Sequence, residues 1–454
     1  MSNRRDVLRA TAVFLVSLGV LLIFYGWVIS IPFDAETIHR LIRPLHFSSR
    51  ARTLGWVLGE SLEWDITRQL YSLSFLMDYG IWGTDARGYH ITDLVLTAVC
   101  ALLAWRLFSS RFGIEIAAIA IALWLAHAAQ GFSMLVFTGR NDRIMFIFFL
   151  AALLLMDRGM ERRDCRMLFL SLAAMAVGVF AKESILSLVP VLFLWAALVS
   201  AASPGKALAE FWWFWVGLVA LCLAYLLIRA TAGIGTPDGV TLAGPRIWLE
   251  GTGRLYSLLL PRLHHLPNTV VGAIGIPTLI GITLWPALPS SARFGAGAVL
   301  FSLLPIPLFW TQPSFCWIPA LWGALTASAV LVRLRHRFKV AAPFAVVAVA
   351  FLTLLVGLWG RSRSLVLAQR YQIFSAAVEV AVQEEPGIWS LEEPLRRYPA
   401  LQSWIYDVED RSGLKICAYV RDLISIRYGV LNPVLVGRDG EILQCEPPWR
   451  PLRM

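Results

Sequence analysis

Two carboxylates, Asp34 and Glu36, directly follow the first long apolar run of the chain. This run extends from Thr11 to Ile31 and is followed by a proline. A carboxylate within hydrogen-bond reach of a hydroxyl group can act as a general base and activate that hydroxyl as a nucleophile. The same position also suits two solvated side chains at a helix end. Position alone therefore leaves a catalytic and a solvated role open for the pair.

Basic and polar side chains recur at or near the ends of later apolar runs. These residues are Arg140, Asp142, Arg143, Lys182, Glu183, Arg229, Arg262 and His264. Clustered cations suit a reaction in which an anionic phosphate leaves, because its developing charge needs stabilisation. Simpler roles are also open. Lys182 and Glu183 could form a surface ion pair, Arg140 and Arg143 could extend to the membrane surface, and His264 could be an ordinary loop residue rather than a metal ligand.

The elements that must carry these groups are long apolar helices. Of the 454 residues, 58% are hydrophobic and 15% are charged, whereas a soluble domain has about 45–50% apolar and 25% charged residues. Runs long enough to cross a bilayer lie near 11–31, 91–108, 116–137, 143–156, 167–181, 184–202, 211–229, 266–285, 294–310, 317–332 and 340–360. The chain is therefore predicted to be an all-α polytopic membrane protein with about eleven transmembrane helices.

The charges of the loops predict the orientation. Basic residues collect in one set of loops, at Arg106, Arg111, Arg158, Arg162, Arg163, Arg166, Lys206, Arg293, Arg333, Arg335, Arg337 and Lys339. The positive-inside rule places these loops in the cytoplasm. The opposite face then receives 32–90, 138–142, 182–183, 230–265 and 311–316. The candidate site residues all map to that outer face, as does His90, which is predicted to be an interfacial hydrogen-bonding residue.

The N-terminal segment fits the same orientation. Arg4, Arg5 and Arg9 precede the first apolar run, and no small-x-small cleavage site follows it. This pattern predicts an uncleaved signal anchor with a cytoplasmic N-terminus. The net charge of +10 is explained by such orienting loops, so no nucleic-acid partner is predicted.

From about Arg361 the composition changes to a charged segment with both signs balanced. A helix is predicted over 364–383, ending near Pro386, and short strands are predicted over 415–445 with a hairpin at Gly437–Gly440. The chain thus divides into a transmembrane domain, 1–360, and a small soluble α+β domain, 361–454. An odd number of spans exports the second domain, where Cys417 and Cys445 could either pair or stay reduced.

The order of short motifs along the chain resembles the GT-C membrane glycosyltransferases. The similarity is to the protein O-mannosyltransferase-like branch, which includes the transmembrane-and-TPR mannosyltransferases. The motifs are Phe33-Asp34-Ala35-Glu36, Arg68-Gln69-Leu70, Gly88-Tyr89-His90-Ile91-Thr92-Asp93-Leu94, Gly139-Arg140-Asn141-Asp142, Ala181-Lys182-Glu183-Ser184, Leu227-Ile228-Arg229, Tyr256-Ser257-Leu258-Leu259-Leu260-Pro261 and Trp317-Ile318-Pro319. They keep a consistent order over roughly residues 10–330.

The chain departs from the family pattern at several positions. Ala35 separates the acidic pair, and Ser314 stands where many relatives have an arginine. Asp93 and Thr97 replace an asparagine and a histidine. These departures favour an unusual substrate or a degenerate site.

The resemblance implies a GT-C-like bundle in the bacterial inner membrane, with its cleft and C-terminal domain on the periplasmic side. It implies transfer of one sugar from a polyprenyl-phosphate donor to a protein, lipid or glycan acceptor. Two alternatives remain: a non-catalytic GT-C-like partner in a membrane complex, and a transporter for a lipid-linked glycan. A transporter would favour charges near the bilayer midplane and repeated halves.

The resemblance also implies roles for individual residues. Asp34 would be the base that activates the acceptor, and Glu36 would assist it, orient the acceptor or bind a divalent cation. The donor phosphate would be held by Arg140, Lys182, Arg229 and Arg143. Supporting roles fall to Glu183, Asp142, His90, Arg262 and His264.

Overall fold

The computed structural model describes residues 2–32, 68–135, 139–200, 204–231, 249, 253, 267–303, 317–339, 342–385, 388–398, 420, 424 and 434–436. Most of these residues are helical and few are in strands. The prediction of a mostly helical protein with apolar spans is confirmed.

The first part of the chain forms eight helices within the described ranges. They are α1 (Ser2–Tyr25), α2 (Gln69–Trp82), α3 (Ala86–Phe112), α4 (Ile114–Ala126), α5 (Ala128–Leu135), α6 (Gly139–Arg162), α7 (Cys165–Val179) and α8 (Val189–Leu198). Short 3₁₀ turns follow α1 at Gly26–Ser30 and precede α8 at Glu183–Leu188.

The rest of the described chain is helical until its last part. The helices are α9 (Pro204–Glu210), α10 (Trp212–Thr231), α11 (Asn268–Leu284), α12 (Ser290–Ser302), α13 (Trp317–Arg337), α14 (Ala342–Val380) and α15 (Glu392–Arg397). The strands are β1 (Val382–Glu385), β2 (Ile388–Ser390) and β3 (Val434–Val436). Each apolar run in the sequence overlaps at least one of these helices.

Within the described ranges, three helices are long and apolar enough to cross a membrane: Asp6–Ser30, Ala86–Phe112 and Trp317–Arg337. A fourth span arises if α4 and α5, which are bent by 50° at their junction, count as one. Several other apolar helices are shorter. The total of about eleven spans therefore stays a prediction.

Helix α2 lies inside the segment that the sequence analysis treated as a polar loop, so that interpretation is corrected for residues 69–82. Tyr71, Phe75 and Asp78 are buried on one face of the helix. Their spacing is that of one helical face. Gly83, with φ of 57°, ends α2 in a backbone conformation that favours glycine. The Asp85 side chain then caps α3 by accepting from the Arg87 amide at 3.0 Å.

The break between α4 and α5 is held by a tyrosine from α1. The hydroxyl group of Tyr25 lies 2.9 Å from the carbonyl oxygen of Ala126 and 2.8 Å from that of His127. Both carbonyls stand at the end of α4, where a helix leaves carbonyl groups without partners of its own. Tyr25 thus joins α1 to the bend in the apolar run 116–137.

Two hydrogen bonds tie α13 into the core. The Trp124 indole donates to the carbonyl oxygen of Trp317 at 3.0 Å, and the Trp317 indole donates to Oε1 of Gln130 at 2.5 Å. The Phe146 ring packs edge-on against Trp317, with ring centroids 5.4 Å apart. These contacts join α4, α5, α6 and α13 around the buried residue Trp317.

At the far ends of α3 and α6, a second contact joins the two helices. Arg111 Nε lies 2.7 Å from Asp157 Oδ2, and the Trp195 indole of α8 donates to Asp157 Oδ1 at 2.9 Å. The region around Arg111, Asp157 and Trp195 is named the Arg111 end of the bundle. Arg140, at the opposite terminus of α6, defines the Arg140 end.

Helix α14 has 39 residues, which corresponds to about 60 Å, twice the hydrocarbon thickness of a typical bilayer. It passes without a break through residue 361, where the composition changes. The last apolar run and most of the helix predicted over 364–383 are thus one element, and β1 begins at Val382. The 360/361 domain boundary stays a prediction.

The described strands form one small sheet in the order β1-β2-β3. β1 and β2 are antiparallel, and β2 and β3 are parallel, with Trp389 opposite Leu435. β3 falls inside the predicted strand region 415–445. The predicted hairpin at Gly437–Gly440 and the two cysteines, Cys417 and Cys445, lie outside the described residues.

Candidate active site

The predicted catalytic pair lies next to the described end of the first helix. Asp34 and Glu36 are outside the described residues, as are Arg262 and His264. Ile31, three residues before Asp34, is described and buried. Its carbonyl oxygen lies 3.0 Å from Nε2 of His90, which is fully buried. A carbonyl can only accept, so Nε2 carries the hydrogen and His90 fastens the end of the first helix to the start of α3.

Arg140 stands in the first turn of α6 and is completely buried. Its Nη1 lies 2.6 Å from Asp78 Oδ2, and its Nε lies 2.7 Å from Asp93 Oδ1. Its Nη2 donates to the carbonyl oxygen of Tyr89 at 2.8 Å. The Phe75 ring lies 4.3 Å from the guanidinium carbon and covers one face. Arg140 therefore joins α2, α3 and α6 at one point.

Arg143, one turn further along α6, is also completely buried. Its Nε donates to the Thr97 hydroxyl at 3.0 Å, and its Nη2 donates to the Ser133 hydroxyl at 3.2 Å. Its Nη1 lies 3.8 Å from Oδ1 of Asp93. Asp93 is thus shared by the two arginines.

These positions bear on the predicted roles of the two arginines. Both guanidinium groups are buried inside the protein. The alternative in which Arg140 and Arg143 extend to the membrane surface is therefore excluded. Two carboxylates, Asp78 and Asp93, balance the two positive charges. Buried charges are tolerated when they are paired and hydrogen-bonded in this way. Contact of either arginine with a donor phosphate stays a prediction.

Asp78 is the site residue that the sequence analysis missed. Besides Arg140, it accepts a hydrogen bond from the Thr92 hydroxyl at 2.9 Å. Burial raises the pKa of the Asp78 carboxyl, and the positive charge of Arg140 opposes this rise. The available signal was the helical spacing of Tyr71, Phe75 and Asp78, which places the acid on the buried face of α2.

Lys182 and Asp142 form a separate ion pair beside this cluster. Nζ of Lys182 lies 2.8 Å from Oδ1 of Asp142, and 14% and 16% of the two side chains are exposed. Part of each side chain is therefore exposed, whereas Arg140 is completely buried. The sequence analysis considered Glu183 as the partner of Lys182, whereas the described contact joins Lys182 to the first turn of α6. Glu183 itself begins the 3₁₀ turn before α8.

The start of α2 meets the turn that carries Lys182. The amide of Leu70 donates to the carbonyl oxygen of Phe180 at 2.9 Å. This contact brings the Arg68-Gln69-Leu70 motif beside the Ala181–Ser184 motif. Arg229 lies near the end of α10, and its side chain is outside the described atoms. Its place relative to Lys182 stays a prediction.

No group of three or more His, Cys, Asp or Glu side chains is arranged to hold a metal ion in the part of the chain that the structure describes. Glu36, the candidate ligand for a divalent cation, falls outside that part.

Comparison with known proteins supports the family resemblance for one part of the chain. Residues 75–228 match the family described as dolichyl-phosphate-mannose-protein mannosyltransferase. These 154 residues, about a third of the chain, are similar to that family. The match confirms the resemblance drawn from the motifs and supports a membrane glycosyltransferase of the mannosyltransferase type.

The matched part of the chain runs from within α2 to near the end of α10. It contains Asp78, Arg140 and the Lys182–Asp142 pair, and it stops short of the acidic pair and the Trp317-Ile318-Pro319 motif. No curated protein and no solved structure matches the chain.

Proposed function

We propose that this protein transfers a mannose-type sugar from a polyprenyl-phosphate donor to an acceptor at the outer, periplasmic face of the bacterial inner membrane. The observation that carries the proposal is the convergence of motif segments at the Arg140 end of the bundle. The partly exposed side chain of Lys182 lies there, paired with Asp142. A phosphate that leaves with negative charge needs a cation at such a point.

The proposed reaction is a substitution at the anomeric carbon of the sugar. Asp34 takes the proton from an acceptor hydroxyl group, whose oxygen forms the new bond to the anomeric carbon. The bond from that carbon to the phosphate oxygen breaks, and its electron pair leaves with the polyprenyl phosphate. Lys182 stabilises that phosphate, with Arg229 as a second cation. Glu36 orients the acceptor or holds a divalent cation.

Chain connectivity supports the choice of Asp34. Three residues of extended chain reach at most about 11 Å, so Asp34 cannot be further than that from Ile31. Ile31 is fixed to His90 at the start of α3, one turn before Asp93. This limit is compatible with the proposed role of Asp34 at the Arg140 end, where Lys182 lies. Arg262 and His264 are proposed to shape the acceptor side of the cleft.

The test is transfer of labelled mannose from polyprenyl phosphate mannose by the purified protein in lipid nanodiscs. Membranes from a deletion strain supply the acceptor pool. Asp34→Asn keeps the size of the side chain and removes the base, so the rate should fall by about 10²–10⁴-fold. Lys182→Ala should raise the donor KM more than the acceptor KM.

Asp6→Asn, an exposed substitution on α1, serves as the control and should transfer at the wild-type rate. If Asp34→Asn is inserted normally and matches that control, Asp34 is not the base. If the wild-type protein binds the donor and yields no labelled product, the non-catalytic alternative is favoured.

A further inference from the structure

The Asp78–Arg140 ion pair closes a ring of contacts around the segment that carries Lys182. One side of the ring runs along α2. Asp78, near the end of that helix, is bound to Arg140, and Leu70, near its start, is hydrogen-bonded to the carbonyl of Phe180. The two residues are eight positions apart, which corresponds to about 12 Å of helix. Arg140 is therefore linked through α2 to the backbone two residues before Lys182.

The other side of the ring runs through the first turn of α6. Asp142 is two residues after Arg140 in that turn, and its carboxylate binds Nζ of Lys182 at 2.8 Å. Asp93 of α3 binds Nε of Arg140 and limits rotation of the turn. The backbone before Lys182 and its ammonium group are thus both connected, by the contacts described, to the buried guanidinium group of Arg140.

We propose that Asp78 and Arg140 are positioning residues that hold Lys182 in the geometry that binds the donor phosphate. This inference rests on the proposed function of Lys182. In this proposal the ion pair acts through α2 and the first turn of α6 rather than by direct contact with the donor. An arginine suits this task because its planar fork binds several acceptors in fixed directions.

The Arg111 end of the same helices offers a matched control. Asp157 pairs with Arg111 at 2.7 Å, as Asp78 pairs with Arg140 at 2.6 Å. Their side-chain exposures are 4% and 6%. Each carboxylate also accepts one neutral hydrogen bond, from Trp195 or from Thr92. Asp157→Asn and Asp78→Asn therefore each remove one ion pair of a similarly buried carboxylate, at opposite ends of the bundle. In each case the arginine keeps a second carboxylate partner, Glu161 or Asp93.

The experiment measures the Kd of a short-chain polyprenyl phosphate mannose for the full-length protein in detergent, together with the thermal unfolding midpoint. Asp78→Asn should raise the Kd by about tenfold or more, since small displacements of a binding group cost that much. Asp157→Asn should lower the unfolding midpoint comparably and leave the Kd unchanged. Equal effects of the two variants on the Kd would overturn the inference.

A double-mutant cycle tests whether Asp78 acts through Lys182. Lys182→Ala should raise the Kd, and adding Asp78→Asn should then raise it no further. Additive effects would overturn the positioning role while leaving Lys182 as a phosphate ligand. A Kd that is unchanged in Lys182→Ala would instead overturn the proposed function. Arg140→Lys, which keeps the charge and loses the fork, replaces Asp78→Asn in the cycle if that variant does not fold.

Discussion

Asp93 and Arg140 form a buried ion pair with 2.7 Å between Oδ1 and Nε. The same carboxylate oxygen lies 3.8 Å from Nη1 of Arg143. One carboxylate of α3 therefore interacts with two cations of α6. Both cations are fully buried and have no access to water. Asp93 is also a position at which the chain departs from the family pattern. That departure supplies a charge which the two arginines use.

Replacing Asp93 should destabilise the bundle. Asp93→Asn leaves two buried arginines with one carboxylate, and breaking a buried pair in this way costs about 3–5 kcal/mol. Asp93→Asn combined with Arg143→Met should recover part of that loss, because the excess charge is then removed. Thermal unfolding in detergent, monitored by tryptophan fluorescence, measures the stability of the single and the double variant. A double variant less stable than Asp93→Asn would contradict the shared pairing.

His90 should be required for holding the end of the first helix. His90→Leu removes the donor to the buried carbonyl of Ile31, and an unsatisfied buried acceptor costs about 1–3 kcal/mol. His90→Gln keeps a donor and should lose less. Transfer activity should fall further than stability alone explains, because the segment carrying Asp34 begins at this point. The test compares the unfolding midpoints of the two variants, and their transfer rates at the same folded fraction. Equal losses in His90→Leu and His90→Gln would argue against the hydrogen bond.

Close packing of α14 on α5 should depend on Gly360. A Cβ added there would lie 2.7 Å from the Cα of Ala128, a backbone atom that cannot rotate away. Gly360→Ala should therefore destabilise the protein by about 1–3 kcal/mol, the usual cost of overpacking. Gly19 of α1 has nothing within 4 Å of such a Cβ.

Gly19→Ala is accordingly the control for this packing, and it should be neutral or slightly stabilising because alanine is the better helix former. The two variants are compared by thermal unfolding in the same detergent. Equal midpoints would show that α14 and α5 tolerate a wider separation.

Helix positions could largely be predicted from the chain alone, because runs of apolar residues and caps are local signals. Helix α3 shows both the strength and the limit of this approach. Its apolar run was recognised over 91–108, and its true start at Ala86 is determined by the Asp85 cap. Helix α2 was missed because its 14 residues are too few for a bilayer span, so they were counted with the polar segment that precedes them.

The candidate site could be predicted only in part. Arg140 and Lys182 stood out as ionisable groups at the ends of apolar runs. Their partners did not, because Asp78 and Asp93 are 62 and 47 residues away from Arg140 in the chain. Thr97, which looked like a loss relative to the family pattern, is a hydrogen-bond acceptor for Arg143.

The amino-acid sequence by itself determined that this is a helical membrane protein and which charged residues stand at its helix ends, since both follow from local composition and periodicity. The tertiary structure alone decided how those charges are used. Pairing depends on which helices pack together, and the same packing decides how much of each paired cation stays exposed. Arg140 is buried between two carboxylates, whereas Lys182 keeps part of its surface exposed.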